Sequence, residues 1–163
     1  MASICGKISL AQLGGYSASK FALEALSDAW RRDLRGWSIP VSVIEPGTTG
    51  GTGLWQAATS DAHVERTWDR LPAPTKQIYD KTHLYALRDT SQTMLDLLAG
   101  DSKHVVEAME EAVLSRWPQA RYPIGVDTAL LSRLAMLPDA VLDTLLAWTM
   151  PTMTPPAKPA KRD

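Results

Sequence analysis

The sequence predicts an α/β fold that forms one edge of a larger sheet, and three observations carry the prediction. A helical pattern over residues 16–35 leads into a β-branched run at residues 40–45. Pro46-Gly47 ends that run and opens a glycine-rich loop, after which helical patterns fill most of the chain. Only two or three strand candidates are present, whereas a parallel sheet needs several strands and helices on both faces.

Each element has a local reason. Gly14-Gly15 loosens the backbone before the first helix. Within it, Ala22, Leu23, Leu26, Trp30 and Leu34 recur at spacings of three and four, which predicts the buried stripe. Glu24, Asp28, Arg31 and Arg35 occupy much of the other face, and Gly36 is the expected stop. Pro40-Val41-Ser42-Val43-Ile44-Glu45 suits a buried strand. Weaker helical patterns at 62–70 and 76–87 flank Leu71-Pro72-Ala73-Pro74, and a firmer one spans 91–99. Ser102 is the expected cap of a further helix that buries Val105, Val106, Met109, Ala112, Val113 and Trp117. Residues 121–125 form a second short strand, and residues 127–150 two apolar helices split at Pro138. Residues 151–163 are rich in proline and lack apolar periodicity, so a disordered tail is expected there.

Composition excludes several function classes. A hydrophobic content of 45% supports a packed core in a chain of 163 residues, enough for one domain. A net charge of −1 speaks against a nucleic-acid partner. Cys5 is the only cysteine, so no intrachain disulfide forms, and a reducing, intracellular setting is expected. His63, His83 and His104 lack metal-ligand spacing, and no metal is expected. No apolar run approaches a membrane span, and no secretory leader is read at the start.

The chemistry concentrates near residue 16. Tyr16 and Lys20 stand at i and i+4 of a helix, hence on one face. A free phenol, with a pKa near 10, is a poor base at neutral pH; a neighbouring ammonium favours the phenolate. Such a tyrosine can take a proton from an alcohol or give one to a carbonyl oxygen. Ser3, thirteen residues before Tyr16, can hold the same oxygen. Tyr-x-x-x-Lys alone is a weak pattern, common in helices with no catalytic role, and the surrounding sequence decides its meaning.

Ser3, Gly14-Gly15-Tyr16-Ser17-Ala18-Ser19-Lys20-Phe21-Ala22, Arg31-Arg32-Asp33-Leu34 and Val41-Ser42-Val43-Ile44-Glu45-Pro46-Gly47 together resemble the short-chain dehydrogenase/reductase family. Trp68-Asp69-Arg70-Leu71-Pro72, Arg121-Tyr122-Pro123-Ile124-Gly125 and Leu137-Pro138-Asp139 are similar to its retinol, 17-beta-hydroxysteroid and D-beta-hydroxybutyrate dehydrogenase subgroup. The resemblance implies the C-terminal part of a Rossmann-type doubly wound parallel sheet over residues 1–150, without the N-terminal βαβ half. It implies hydride transfer between NAD or NADP and a small apolar alcohol or carbonyl, such as a retinoid, steroid or lipid-derived compound.

Under that resemblance Tyr16 is the general acid/base, Lys20 supports it and binds the nicotinamide ribose, and Ser3 positions the substrate oxygen. Pro46 and Gly47 bring backbone against the nicotinamide. Thr48, Thr49 or Thr52 contacts the carboxamide or pyrophosphate; the family pattern places a threonine at the position held here by Gly51, one residue before Thr52. Trp55 and Trp68 fall in the substrate-loop region, where packing of the loop onto the core is the competing reading. The determinants of NAD against NADP are absent from the sequence. Met1 then reads as an internal methionine, and the chain as a truncated dehydrogenase with little or no activity alone. The alternative is a non-catalytic product that binds a partner or membrane. The 128–150 helices suit core packing or a membrane surface, and the family includes proteins of the endoplasmic reticulum and mitochondrial membranes as well as cytoplasmic ones. The helix at residues 16–35 implies a homo-oligomer in a complete protein.

Overall fold

Two short strands anchor the architecture: β1 (Val43–Pro46) and β2 (Arg121–Ile124). They pair in parallel, in a register that sets Val43 opposite Arg121 and Pro46 opposite Ile124. The computed structural model describes residues 1–11, 13–53 and 59–149; the expected tail at residues 151–163 lies outside them. Parallel strands require a long crossover. Here it carries α2 (Asp61–Arg70), α3 (Ala73–Ile78), α4 (Lys81–Leu98) and α5 (Lys103–Leu114). Before β1 lies α1 (Gly14–Asp33), and after β2 come α6 (Val126–Leu134) and α7 (Asp139–Thr149). Helices flanking a small parallel sheet match a partial Rossmann-like α/β fold.

On the other side of β1, the Ala2 amide donates to the Ile44 carbonyl at 2.8 Å. Ser3 is extended, with φ −171° and ψ 164°, and both Ala2 and Ser3 are buried. Residues 1–3 therefore lie against β1 as a strand-like segment. The chain then turns through a 3-10 turn, Ile4–Gly6. Ile4, Cys5, Ile8 and Leu10 form the apolar core, and Leu131, Ala135, Leu142 and Leu146 pack against it. The helix pair at the end of the described chain thus contributes its inner face to the core, while Leu130, Met136 and Val141 face outward. No helix among the described residues is long and apolar enough to cross a membrane.

Several local expectations are corrected. α1 does not stop at Gly36: the chain tightens into a 3-10 turn, Leu34–Trp37, and Ser38 takes the left-handed capping conformation at φ 57°. Pairing in β1 starts at Val43 rather than Pro40 and includes Pro46, at the strand end where a missing N–H is tolerated. The pattern at 76–87 is split between two helices: residues 76–78 end α3, and α4 starts at Lys81 and runs on through most of 91–99, with Ser91 donating to the Leu87 carbonyl at 2.9 Å within it. Ser102 holds the N-cap position of α5 as expected, but its side chain makes no capping bond; Asp101 Oδ1 instead accepts from the Lys103 amide at 2.9 Å. The apolar stripe of α5 is largely open. Val106 and Val113 are exposed, Val113 at 81%, because two strands cover only part of the helix, and Trp117, also exposed, lies past the helix end at Leu114.

The largest correction concerns α1. Its buried residues are Ser17, Glu24 and Ser27, whereas Phe21, Leu26 and Trp30 are exposed. The helix is docked by its polar face, the reverse of the face that periodicity favours.

Candidate active site

Ser3, Pro46 and Gly47 meet at the carboxyl end of β1, and Ile124 and Gly125 end β2 beside them. Ligands of open α/β sheets bind at such strand ends. Ser3 Oγ donates to the Pro46 carbonyl at 3.4 Å and accepts from the Cys5 amide at 3.3 Å, so the same hydroxyl caps the 3-10 turn. The bond to Pro46 is long for a hydroxyl donor, hence weak and readily exchanged.

Tyr16 and Lys20 share one face of α1, with Lys20 Nζ 5.4 Å from the centre of the Tyr16 ring. That separation lies within cation–π range. Lys20 Nζ also donates to the Met1 carbonyl at 3.4 Å, which ties α1 to the segment bearing Ser3. Tyr16 is 43% exposed, so water competes with Lys20 for the phenol.

An ionic cluster under α1 sets its position. Arg121 of β2 donates to Glu24 and Asp28 of α1 and to Glu45 of β1, at 2.6 Å for Asp28 and 2.8 Å for Glu45. Lys7 reaches Glu45 at 3.3 Å and Glu24 at 3.7 Å. Glu24 is 7% exposed. Burial, and then repulsion from Glu45, push its carboxyl above the ordinary value, against the pull of Arg121. Glu24 Oε1 has no partner among the described residues. Asp28 moves the other way, held down chiefly by its hydrogen bond from Arg31. The close approach needs Gly6, since a Cβ there would stand 2.8 Å from Glu24 Cγ and 3.0 Å from the Lys20 carbonyl oxygen.

Cys5 is buried, and burial pushes its thiol up despite Ser3, Ser17 and Lys20 nearby. That disfavours the reactive thiolate and suits a core residue.

The loop after β1 is held by backbone and by a residue the sequence did not point to. The Gly47 amide donates to the Ile124 carbonyl at 2.8 Å, and Thr48 and Gly50 pair with Gly100. Asp127 Oδ2 accepts from the Thr48 amide at 2.7 Å. Thr49 Oγ1 donates to the Gly47 carbonyl at 3.3 Å, and Thr52 is half-buried in the same loop. Trp55 lies outside the described residues. Trp68 meets Lys76, whose Nζ lies 5.6 Å from the ring centre, and α2 packs against α4. Among the described residues no hydrogen bond, ion pair or ring contact joins Trp68 to Ser3, Tyr16 or Lys20. Ser3 thus meets Pro46 at the end of β1, Lys20 links Tyr16 to the Met1 carbonyl two residues before Ser3, and Trp68 is held elsewhere.

Comparison with known proteins bears on this arrangement. Residues 1–63 match the family model for short chain dehydrogenase. The bovine (Bos taurus) short-chain dehydrogenase/reductase family 9C member 7 is 35% identical over 139 residues, covering 85% of this chain and 44% of that protein. Human (Homo sapiens) retinol dehydrogenase 5 is 34% identical over 151 residues, 91% of this chain and 47% of the relative. For rat (Rattus norvegicus) 17-beta-hydroxysteroid dehydrogenase type 6 the identity is 32% over 149 residues, 90% and 46%. The chain spans less than half the length of these relatives. On these matches, the chain belongs to the short-chain dehydrogenase/reductase family of oxidoreductases.

Proposed function

We propose that these residues supply the proton-handling part of a dehydrogenase that interconverts an apolar alcohol and its carbonyl with NAD or NADP. The observation that carries the reading is the Tyr16–Lys20 pair, tied by Lys20 to the segment that bears Ser3. The bound nicotinamide supplies the two-electron chemistry that no side chain provides. The phenol of Tyr16 takes the alcohol proton or returns it to the carbonyl oxygen. Lys20 has three N–H donors. One reaches Met1, which leaves donors for a ribose hydroxyl while the charge stays beside Tyr16. Ser3 holds the substrate oxygen by exchanging its long bond to Pro46.

The loop fits the nicotinamide end of such a cofactor under a constraint. The Thr48 amide is committed to Asp127 and its carbonyl to Gly100, so its hydroxyl is the group left to contact the cofactor. Thr49 and Thr52 stand beside it as further candidates. Apolar alcohols are the substrate class because retinol and 17-beta-hydroxysteroid dehydrogenases are among the relatives; Trp55 and Trp68 are the side chains assigned to that substrate. Self-association through α1 is supported by its exposed Phe21, Leu26 and Trp30.

A second reading, a binding module without catalysis, is favoured by the open stripe of α5, with Val113 and Leu114 exposed and Trp117 exposed just past its end. Two measurements separate the readings. NADH or NADPH at a hundredfold excess over its dissociation constant stabilises a binding-competent chain by about 2.7 kcal/mol, and no stabilisation favours the module. Tyr16→Phe lowers cofactor-dependent oxidation of retinol by roughly a hundredfold or more if the phenol handles the proton. Equal rates in both proteins reject the assignment.

A further inference from the structure

Gly47 adopts no positive φ, so backbone freedom does not account for a glycine there. Space does. A Cβ on Gly47 would stand 2.1 Å from Asp127 Oδ1 and 2.4 Å from Oδ2. Gly125, at φ 104°, makes room for the same carboxylate, since a Cβ there would lie 2.4 Å from Oδ1. Two glycines in two chain segments thus accommodate one buried acid, 9% exposed. Its oxygens are fully directed: Oδ2 accepts from the Thr48 amide at 2.7 Å, Oδ1 from the Thr128 amide at 2.8 Å. Both are short, charge-assisted bonds. The carboxylate also sits in the first turn of α6, where the helix N-terminus favours an anion.

We propose that Asp127 is a positioning residue that locks the Pro46–Gly47–Thr48 loop to the start of α6 and so sets the surface that the nicotinamide end of the cofactor meets. The inference rests on the reading of that loop as a cofactor surface. A carboxylate on the first turn of a helix can also be a plain helix cap. The contact with Thr48, 79 residues away from Asp127 in sequence, and with the adjoining Gly47 distinguishes the two roles. A cap needs only the Thr128 amide; the lock also fixes the Thr48 amide and leaves Gly47 no room for a side chain.

The test uses the full chain and four variants: D127A, D127N, G47A and G47A/D127A. Hydrogen exchange at the Thr48 amide and thermal unfolding read the lock; NADH and NADPH titrations read its consequence. D127A is expected to speed Thr48 exchange and to raise the dissociation constant for the cofactor roughly tenfold, which corresponds to about 1.4 kcal/mol of lost binding free energy. D127N, which keeps one acceptor oxygen, recovers part of the affinity. G47A lowers the unfolding temperature of the wild-type chain and adds little to D127A. Equal damage from G47A in both backgrounds overturns the lock. Unchanged cofactor affinity in D127A, with normal cofactor binding by the wild type, reduces Asp127 to a helix cap and overturns the positioning role. If the wild type binds neither NADH nor NADPH while its Thr48 amide stays protected, the cofactor reading of the loop fails, and the role assigned to Asp127 fails with it.

Discussion

Two sets of ion pairs fasten different parts of this chain, and the same charges act differently in each. Under α1, Arg121 draws together Glu24, Asp28 and Glu45, and the Glu45 side chain keeps 3% of its exposure. Between α2 and α4, Lys81 meets Glu65 and Arg88 meets Asp61, with the Glu65 side chain 45% exposed. A pair of unit charges attracts roughly fourfold more strongly at a protein's effective dielectric than in bulk water. Exposed pairs are also weakened by salt and by the freedom of long side chains. The buried set therefore fixes where α1 sits, and with it Tyr16 and Lys20. The exposed set marks the α2–α4 face, which carries Trp68, without holding it tightly.

Burying charge is costly, and an apolar cluster of the same shape could be equally stable. What the ionic cluster adds is direction. Arg121 reaches two residues of α1 one turn apart, Glu24 and Asp28, so it sets the rotation of the helix as well as its distance from the sheet.

The comparison can be broken in a graded series. Arg121→Ala leaves the buried Glu24 and Glu45 with Lys7 as their one remaining cation among the described residues, and is expected to cost about 3 kcal/mol in urea unfolding. Gly6→Ala pushes a methyl group into the Lys20 carbonyl and the Glu24 stem, and overpacking of this kind costs about 2 kcal/mol. Glu24→Gln acts on the pH dependence. The folded-state pKa of Glu24 is raised, so its contribution is fully present below the ordinary carboxylate value and lost as pH rises through the raised one. Unfolding followed across that window should show the wild type losing stability with rising pH and the Gln variant losing less. Asp28, with its depressed value, contributes the opposite slope in both proteins, lost as pH falls. Lys81→Ala, on the exposed set, is expected to leave the urea midpoint where it was; a clear drop would show that the two sets are alike.

The sequence makes part of this legible. The order of elements follows from periodicity and from breakers such as Pro46-Gly47 and Pro72. Ser3, Tyr16 and Lys20 are legible because their spacing and flanks resemble a known motif. The face by which α1 docks is not. Leu23, Leu26 and Trp30 recur at helical spacing, but so do Ser17, Glu24, Asp28 and Arg31. The choice between them is made by Arg121, 97 residues from Glu24 in sequence. Asp127 is hidden for the same reason: its partners are a glycine and an amide across a parallel crossover, and neither leaves a local pattern. The open stripe of α5 is read as buried because periodicity reports amphipathicity, not how much sheet lies beneath it.

The central claim is that a buried ionic cluster, rather than an apolar stripe, places the helix that bears Tyr16 and Lys20. A double-mutant cycle of Arg121→Ala and Glu24→Gln, read by urea unfolding at neutral pH, tests it most directly. The account predicts a coupling energy of about 2 kcal/mol between the two residues. A coupling indistinguishable from zero, with each substitution adding independently, would contradict it.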